Sequence, residues 1–324
     1  MINIEKLSNS AVLREIYNDY YSLNKTPNEN LSSMWKEFYP QIHVSLDGEG
    51  NLVSFKGRGF SDIKYANPLS KILDSLCNAS YFLRSPFKKE LYSIICKIKP
   101  KLKKINSYIT YNCFRQICSL ILIKKHLNVD LNKRFDVVII GDGHGVMAFL
   151  IKELFPNSRI TLIDIGKVLL FQAVNLQLIF PECSHILIEN GEIGVSEFDF
   201  LYVPSEKISK IKDIKYKLSI NIASMQEMNY ESVANYFKFL RHNSTPNNLF
   251  YCCNRLSKQL PGGEVLELLN YPWHKNDKHI IDEEPKFYRY IPIDKFPFMH
   301  YLDGRMQHRL TNLFIENKED GINI

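Results

Sequence analysis

The most constraining feature of this sequence is a glycine-rich turn that follows an apolar run. Residues 137–140 are all apolar, Gly141, Gly143 and Gly145 alternate directly after them, and a helical pattern begins at Val146. Glycines suit such a turn because it requires positive φ angles and because a side chain would block the approach of a ligand to the backbone. The sequence therefore predicts a strand, a tight turn and a helix, as in nucleotide-binding α/β sheets.

From residue 135 onward, short β-rich runs alternate with helical patterns. Strands are predicted at 135–140, 159–163, 198–203, 216–222 and 249–253, and helices at 146–154, 167–179 and 230–241. This alternation predicts an α/β fold with a mostly parallel sheet and helices on both faces. A ligand is then expected at the carboxyl ends of the strands, where the strand order reverses. Beyond Leu256 we expect an irregular, aromatic-rich tail with one or two strands, of the kind that often covers a site.

The first 130 residues have a different character. Apolar residues recur at helical intervals over 11–23 and 69–83, and again in the lysine-rich stretch 91–127, which Pro100 interrupts. A loop-like passage lies at 45–60. We expect residues 1–130 to form a mainly helical cap that serves substrate binding or oligomerisation, and residues 131–324 to form a Rossmann-like domain with the irregular tail.

Composition excludes several classes of protein. The chain is 45% hydrophobic and 23% charged, which argues against a disordered or collagen-like protein. A net charge of +6, spread along the chain, gives no sign of a nucleic-acid partner. The seven cysteines have no zinc-type spacing and indicate reduced thiols, and no signal peptide or membrane span is apparent. We expect a cytoplasmic protein.

A carboxylate follows the glycine turn at an informative distance. Asp164 closes the second predicted strand, where it can accept hydrogen bonds from both hydroxyl groups of a ribose. This favours a nucleoside-containing cofactor over a turn that binds no ligand. Because Gly143, Gly145 and Ala148 also satisfy the dinucleotide fingerprint, NAD is not excluded by the turn alone.

Several segments carry a family resemblance. Residues 135–253 resemble a class I S-adenosylmethionine-dependent methyltransferase. Further segments resemble the sugar O-methyltransferases of bacterial glycan clusters: 162–170, 221–228, 250–255, 260–265 and 271–273, with 57–60 and 65–68 in the cap. The segment Ser224-Met225-Gln226-Glu227-Met228 is the most specific of these marks.

The resemblance implies a class I methyltransferase sheet, S-adenosyl-L-methionine as cofactor, and a methyl acceptor that is a sugar hydroxyl of a nucleotide-linked sugar or glycan precursor. A homo-oligomer formed through the cap helices is also compatible with it. Methyltransferases of this class usually have an acidic residue two positions before the first glycine, where this chain has Ile139. Asp142 is a candidate substitute. The candidate cofactor-binding residues are Gly141, Asp142, Gly143, His144, Gly145, Asp164, Ile165 and Asn221.

A sugar hydroxyl is a poor nucleophile, so a general base or a metal ion should assist its attack. The candidate catalytic residues are Glu227, His144, His274 and His308, and the candidate substrate-binding residues are Arg58, Ser224, Gln226 and Trp273. Ser224 and Glu227 alternatively form a capping box for the following helix. The acidic run 282–284 offers oxygen ligands for a divalent metal, but such a run of charges is usually a solvated surface, and we assign no metal site.

Two other functions stay open at this point. One is an NAD(P)-dependent oxidoreductase that uses the same glycine turn, although no Tyr-x-x-x-Lys pair stands at a suitable strand-to-helix position. The other is a catalytically inactive methyltransferase-like binding module, motivated by Ile139 at the position of the usual acid.

Overall fold

A computed structural model of the protein describes residues 10–22, 31–46, 52–56, 68–105, 107–188, 198–292, 299–302 and 304–315. The helices are α1 Ala11–Tyr17, α2 Ser33–Phe38, α3 Pro68–Arg84, α4 Lys88–Lys104, α5 Tyr111–His126, α6 Val146–Leu154, α7 Gly166–Ile179 and α8 Tyr230–Asn243. The strands are β1 His43–Leu46, β2 Leu52–Lys56, β3 Phe135–Ile140, β4 Ser158–Asp164, β5 His185–Leu187, β6 Phe200–Pro204, β7 Tyr216–Ile222, β8 Ser244–Arg255, β9 Ser257–Gln259, β10 Val265–Glu267, β11 Lys278–Glu283, β12 Tyr290–Pro292, β13 Met299–Tyr301 and β14 Met306–Asn312.

Within these ranges, eight strands form one sheet in the order β11-β14-β8-β7-β3-β4-β6-β5. The strands from β8 to β5 pair in parallel, whereas β14 pairs antiparallel with both β8 and β11. From β3 the chain passes to β4, then to β5 at the edge of the sheet and back to β6 between β4 and β5, and from there to β7 on the other side of β3. The strand order therefore reverses between β3 and β7, and the predicted mostly parallel, Rossmann-like fold is confirmed.

The side chains of β3 divide between two hydrophobic cores, because successive residues of a strand point to opposite faces. Val137 and Ile139 join the core that includes Phe149 of α6, while Val138 joins the core that includes Phe237 of α8. Helices thus cover both faces of the sheet, as predicted. A strand buried on both faces is apolar throughout, which explains the uninterrupted run that the sequence shows.

The predicted bounds of helices and strands were most accurate where the sheet is buried on both faces. The bounds of β3, α6 and β7 are those predicted, and β8 begins at Ser244 rather than at residue 249. The edge strand β5 was not predicted, since three residues are too few to show a period of two.

The segment after Leu256 contains more strands than the one or two we expected. Strands β11 and β14 extend the main sheet, and β9 with β10 and β12 with β13 form two short antiparallel ladders. Most side chains of β11 are exposed, so that strand lacks the alternating apolar pattern by which a sequence reveals a half-buried strand.

The sequence indicated a helix break at Pro100 in the lysine-rich region, but the structure has no break there. It lies inside α4, and the helix continues to Lys104. A proline inside a helix removes one backbone hydrogen bond. The buried side chains of Leu91, Ile94 and Ile98 hold the helix against its neighbours despite that loss.

The N-terminal helices pack directly against the sheet domain. Ile16 of α1 and Phe114 of α5 belong to the same core as Phe149 of α6. The Tyr20 hydroxyl, just after α1, donates a hydrogen bond to Glu206 Oε1 at 2.7 Å. Among the helices of the described ranges, none has the length and apolarity that a membrane span requires.

Candidate functional site

A cavity of about 690 Å³ opens at the carboxyl edge of the sheet. Gly141 follows β3, Asp164 ends β4, Ser205 follows β6 and Ser224 follows β7, and all four line the cavity. The cavity thus includes the point where the strand order reverses, which is the usual ligand position in such a sheet. Its volume is in the range of small-molecule and cofactor sites.

The glycine turn forms one wall of the cavity through Gly141 and Gly143. Gly141 has a φ of 73°, in the left-handed region, and a Cβ there would overlap the side chain of Ser224. Ser224 Oγ accepts a hydrogen bond from the side-chain amide of Asn221 at 3.2 Å. The turn after β3 and the segment after β7 are therefore in direct contact at this wall.

Asp142 caps helix α6 and is not among the residues that line the cavity. Its Oδ1 accepts a hydrogen bond from the N–H of Met147 at 2.9 Å, and its Oδ2 accepts one from the N–H of Ala148 at 2.8 Å. These N–H groups belong to the first turn of α6 and have no partner within the helix. The carboxylate occupies the place at which this helix N-terminus would otherwise bind an anion.

Asp164 lines the cavity with a carboxyl group that titrates near neutral pH. The N–H of Ile165 donates to its Oδ1 at 2.9 Å, and the amide of Gln172 donates to its Oδ2 at 2.7 Å. Burial raises the pKa of Asp164 to about 7, although these hydrogen bonds favour the ionised form. When ionised, the group can accept further hydrogen bonds from hydroxyl groups in the cavity.

An apolar wall adjoins Asp164. Ile165 and Val168 line the cavity just after β4, and Trp35 of α2 lines it from the N-terminal region. These side chains pack together with Phe171 and Ile42 in a small core. The wall offers aliphatic side chains and one indole ring beside a carboxylate, which suits a planar base attached to a ribose.

Asn221 and Gln226 join strand ends and are not among the residues that line the cavity. The buried amide of Asn221 donates to the carbonyl of Ile140 at 2.9 Å, and its Oδ1 accepts from the amide of Asn254 at 2.8 Å. Gln226 Oε1 accepts a hydrogen bond from the N–H of Arg255 at 2.7 Å. Both side chains thus fix the segment after β7 to its neighbours β3 and β8.

Glu227 does line the cavity. Its Oε1 lies 2.9 Å from Nζ of Lys258, which holds the carboxylate in place. The alternative capping-box role is not what the structure shows, because Asn229 caps α8 by accepting a hydrogen bond from the N–H of Ser232 at 2.7 Å. Residues Met225–Glu227 form a separate turn of 3-10 helix before that cap.

His144 belongs to the glycine turn but lies on its other side, away from this cavity. Its ring stacks on Phe171 with 5.5 Å between the ring centroids, and its carbonyl accepts a hydrogen bond from Asn175 at 3.1 Å. Burial lowers the pKa of His144 to about 4, so the imidazole is neutral at pH 7. Gly145, which follows it, packs against Leu176 and is likewise not among the lining residues.

Three candidates from the tail also lie outside the cavity lining. His274 stacks on Phe314 with a centroid distance of 4.8 Å. His308 is buried with its Nδ1 3.0 Å from the hydroxyl of Tyr251, and burial lowers its pKa. Trp273 packs between helix α8 and β8 in the second core. His308 pairs with Cys253, which pairs with Ile222 at the end of β7, so His308 stands near this edge of the sheet but outside the cavity lining.

Arg58 lies outside the described residues. Within the described ranges, no group of three or more His, Cys, Asp or Glu side chains is arranged to hold a metal ion. In the acidic run, Asp282 pairs with Arg309 at 2.9 Å and Glu284 pairs with Arg289 at 2.7 Å.

Helix α5 supplies polar lining that the sequence did not reveal. Asn112, Arg115 and Gln116 line the cavity, together with Tyr288 from the tail. The Arg115 guanidinium lies 4.5 Å from the ring centroid of Tyr111 and 4.2 Å from that of Tyr288. No local pattern marks these residues, because only the packing of α5 and the tail on the sheet domain brings them to the cavity.

Two other lining residues were also not predicted from the sequence. Ala223 has a φ of 57°, which is uncommon for a residue with a side chain, and its N–H donates to the carbonyl of Cys253 at 2.7 Å. Glu206, after β6, accepts the hydrogen bond from Tyr20, whose pKa is raised by burial and by this carboxylate.

The chain is similar in structure to several solved proteins, whereas no protein-family model and no curated protein matches it. TehB from Haemophilus influenzae is similar over 61% of this chain and 62% of its own, with a TM-score of 0.43 and 12% identity. The glycopeptide N-methyltransferase MtfA is similar over 62% of this chain and 96% of its own, with a TM-score of 0.38 and 10% identity.

Proposed function

We propose that this protein is an S-adenosyl-L-methionine-dependent O-methyltransferase that acts on a sugar hydroxyl of a nucleotide-linked sugar or glycan precursor. The observation that carries the proposal is the division of roles between two carboxylates at the switch point. Asp164 faces the cavity at the end of β4, whereas Asp142 occupies the N-terminus of α6.

This division favours a nucleoside ligand without a pyrophosphate. A dinucleotide places its pyrophosphate on the N-terminus of the helix after the glycine turn. In this chain two N–H groups of that terminus already bind Asp142, whose negative charge would repel a phosphate. The NAD(P)-dependent alternative is therefore disfavoured, while a ligand with a cationic sulfonium does not meet this repulsion.

The cavity residues fit the parts of such a donor. Asp164 would accept hydrogen bonds from the ribose hydroxyls, and Ile165, Val168 and Trp35 would enclose the base. The backbone of the glycine turn would lie against the amino-acid end. The bound donor supplies a methyl group on a positively charged sulfur, and transfer to the acceptor oxygen breaks the carbon–sulfur bond and leaves a neutral thioether.

Glu227 is our candidate for the general base. The acceptor hydroxyl must lose its proton as its oxygen bonds to the methyl carbon, and a carboxylate on the cavity wall can take that proton. Lys258, 2.9 Å away, would fix the orientation of the carboxylate. Ser32 of the N-terminal region donates a hydrogen bond to the Glu227 carbonyl, so the backbone at this position is held as well.

A sugar acceptor is supported by the family resemblance of residues 221–228 and by the polar wall of α5. Asn112, Arg115 and Gln116 offer donors and acceptors for a hydroxyl-rich molecule. The N-terminal region would thus complete the acceptor site.

Binding measurements with two nucleoside ligands test the proposal. A ligand at 100 times its dissociation constant adds about 2.7 kcal/mol to the free energy of unfolding. We expect S-adenosylhomocysteine to stabilise the protein and NAD to leave it unchanged, and we expect methyl transfer from S-adenosylmethionine to one member of a panel of nucleotide sugars. Stabilisation by NAD alone would refute the proposal, and stabilisation by neither ligand would favour a non-enzymatic binding module.

A further inference from the structure

Arg115 places a cation on the cavity wall. Its Nη2 donates to the side-chain oxygen of Asn112, and its Nε is buried without a hydrogen-bond partner among the described residues. Among the described residues, no carboxylate forms an ion pair with this guanidinium. By contrast, Arg159, Arg241 and Arg289 each pair with an aspartate or glutamate at 2.7–2.8 Å.

Two aromatic rings hold the guanidinium in a fixed position. The rings of Tyr111 and Tyr288 lie within 4.5 Å of it, and both tyrosines are buried. Such contacts stabilise a cation without neutralising its charge. A guanidinium held in this way presents its remaining N–H groups as a planar fork, which matches the oxygen atoms of a carboxylate or phosphate.

The neighbouring residue supplies a complementary acceptor. Gln116 lines the same cavity and is 7% exposed, and its Oε1 meets no hydrogen-bond donor within the described ranges. Leaving a buried acceptor unpaired costs free energy, so a ligand N–H or O–H that reached this atom from the cavity would be favoured. The ligand group at α5 should therefore combine an anion with a nearby N–H or O–H.

The other charges around the cavity make this position distinctive. Asp164, Glu206 and Glu227 line the cavity with carboxyl groups, and Lys238 and His242 line it from α8. An anionic ligand group would be repelled beside an ionised carboxylate. On α5, by contrast, the wall carries the positively charged guanidinium of Arg115 and the buried acceptor of Gln116. An anionic ligand group is therefore favoured at this end of the cavity.

We propose that Arg115 and Gln116 form an anion-recognition site for a carboxylate or phosphate with an adjacent hydrogen-bond donor. The site deepens the proposed function and rests on it for the identity of the ligands. Two sources share this chemistry. One is the α-amino acid end of the methyl donor, with its carboxylate and ammonium; the other is an acceptor that carries an acid or phosphate group beside a hydroxyl.

The test is calorimetric binding to the wild type, Arg115→Gln and Arg115→Lys. S-adenosylhomocysteine has the amino-acid carboxylate, and 5′-methylthioadenosine has the same nucleoside and thioether without it. Inorganic phosphate and D-glucuronate, added to the protein alone and with S-adenosylhomocysteine, probe an acceptor anion. The control is Arg305→Gln, which removes the same charge from an exposed position outside the cavity lining. Melting curves by circular dichroism check that each variant is folded.

We expect Arg115→Gln to weaken binding of an anionic probe roughly tenfold or more, because a hydrogen bond to a charged group is lost. Loss for S-adenosylhomocysteine but not for 5′-methylthioadenosine would assign the site to the donor carboxylate. Unchanged binding of both nucleosides with loss of phosphate or glucuronate binding would assign it to the acceptor. We expect Arg115→Lys to retain part of the affinity in either case.

Other outcomes would overturn the inference. Equal loss for both nucleosides would mean that Arg115 shapes the cavity without binding an anion. Unchanged binding of all four probes would refute the site directly. If neither nucleoside binds the wild type but phosphate or glucuronate binds through Arg115, the methyltransferase proposal fails and the anion site stands. If no probe binds the wild type, both fail.

Discussion

The side chain of Ser224 fills the space that a side chain at Gly141 would need. Gly141 follows β3 and Ser224 follows β7, the two strands between which the strand order reverses. Gly141 also has a φ of 73°, a conformation that residues with a Cβ adopt at a cost. Sterics and backbone conformation therefore both require glycine at the wall of the cavity.

We predict that Gly141→Ala destabilises the fold by more than conformational strain alone. Gly263→Ala is the matched control, because Gly263 has a φ of 92° and a methyl group added there would meet no atom of the described residues within 4 Å. Strain of this kind costs about 1–2 kcal/mol, and the overlap with Ser224 should add to that cost only at Gly141. Urea unfolding of both variants measures the difference. If the added cost comes from the overlap, Ser224→Gly should partly restore Gly141→Ala, and no restoration would contradict this explanation.

Asp142 should stabilise helix α6 more than Asn229 stabilises α8. Asp142 accepts two backbone hydrogen bonds in a buried position, whereas the side chain of Asn229 accepts one from Ser232. Loss of an ordinary cap costs about 1 kcal/mol. We expect Asn229→Ala to cost about that amount and Asp142→Ala about 2 kcal/mol or more, as measured by urea unfolding at pH 7. Equal losses of unfolding free energy in the two variants would show that the second hydrogen bond of Asp142 adds no stability.

The sequence predicted the fold best where burial imposes a pattern. β3, β4 and β7 lie in the middle of the sheet, and their largely apolar runs follow from burial on both faces. β5 and β11 lie at the sheet edges and were not predicted. β5 is too short, and β11 too exposed, to show that pattern. Pro100 misled the helix prediction, since local propensity is overridden by the buried stripe of α4.

The site was predictable where the chemistry is carried by the turn or strand end itself. Gly141, Asp164 and Glu227 line the cavity, as expected from their places just after β3, at the end of β4 and after β7. The position of a histidine in the sequence does not reveal where its side chain points. The ring of His144 packs on the side of the glycine turn that faces away from the cavity. Arg115 lies in a helix that no motif connects with the sheet, so its place at the cavity follows only from tertiary packing.

The pKa of Asp164 predicts a specific pH dependence. Burial raises this pKa from 3.8 to about 7, so the neutral form stabilises the folded state. That contribution is complete below the unfolded-state pKa and is lost as the pH rises through 7. Between about pH 5 and pH 8, wild type should therefore lose more unfolding free energy than Asp164→Asn, as urea titrations at each pH would show. Parallel profiles for the two proteins would contradict the assigned pKa.

Trp35 should report ligand binding by fluorescence. The chain has two tryptophans, and Trp273 lies outside the cavity, with its indole N–H donating to the carbonyl of Leu268 at 2.9 Å. In Trp273→Phe, the emission therefore comes from Trp35 alone. We expect S-adenosylhomocysteine to quench this emission as the base packs on the indole, and Trp35→Phe to lose the response. Calorimetric binding without any change in emission would place the base elsewhere.

Glu227→Gln should separate catalysis from cofactor binding. The substitution keeps the size of the side chain but removes the carboxylate that would accept the hydroxyl proton, and loss of general base catalysis typically lowers kcat by about 10²–10⁴. Asp164 keeps its hydrogen bonds from Ile165 and Gln172 in this variant, so the affinity for S-adenosylhomocysteine should stay close to that of wild type.

Lys258→Met is the companion variant, since it breaks the 2.9 Å ion pair without touching the base itself. If Lys258 orients Glu227, this variant should have a kcat between those of wild type and Glu227→Gln, measured with the acceptor sugar at saturation. A fully active Glu227→Gln would show that Glu227 is not the general base, and the hydroxyl proton would then have to leave by another route.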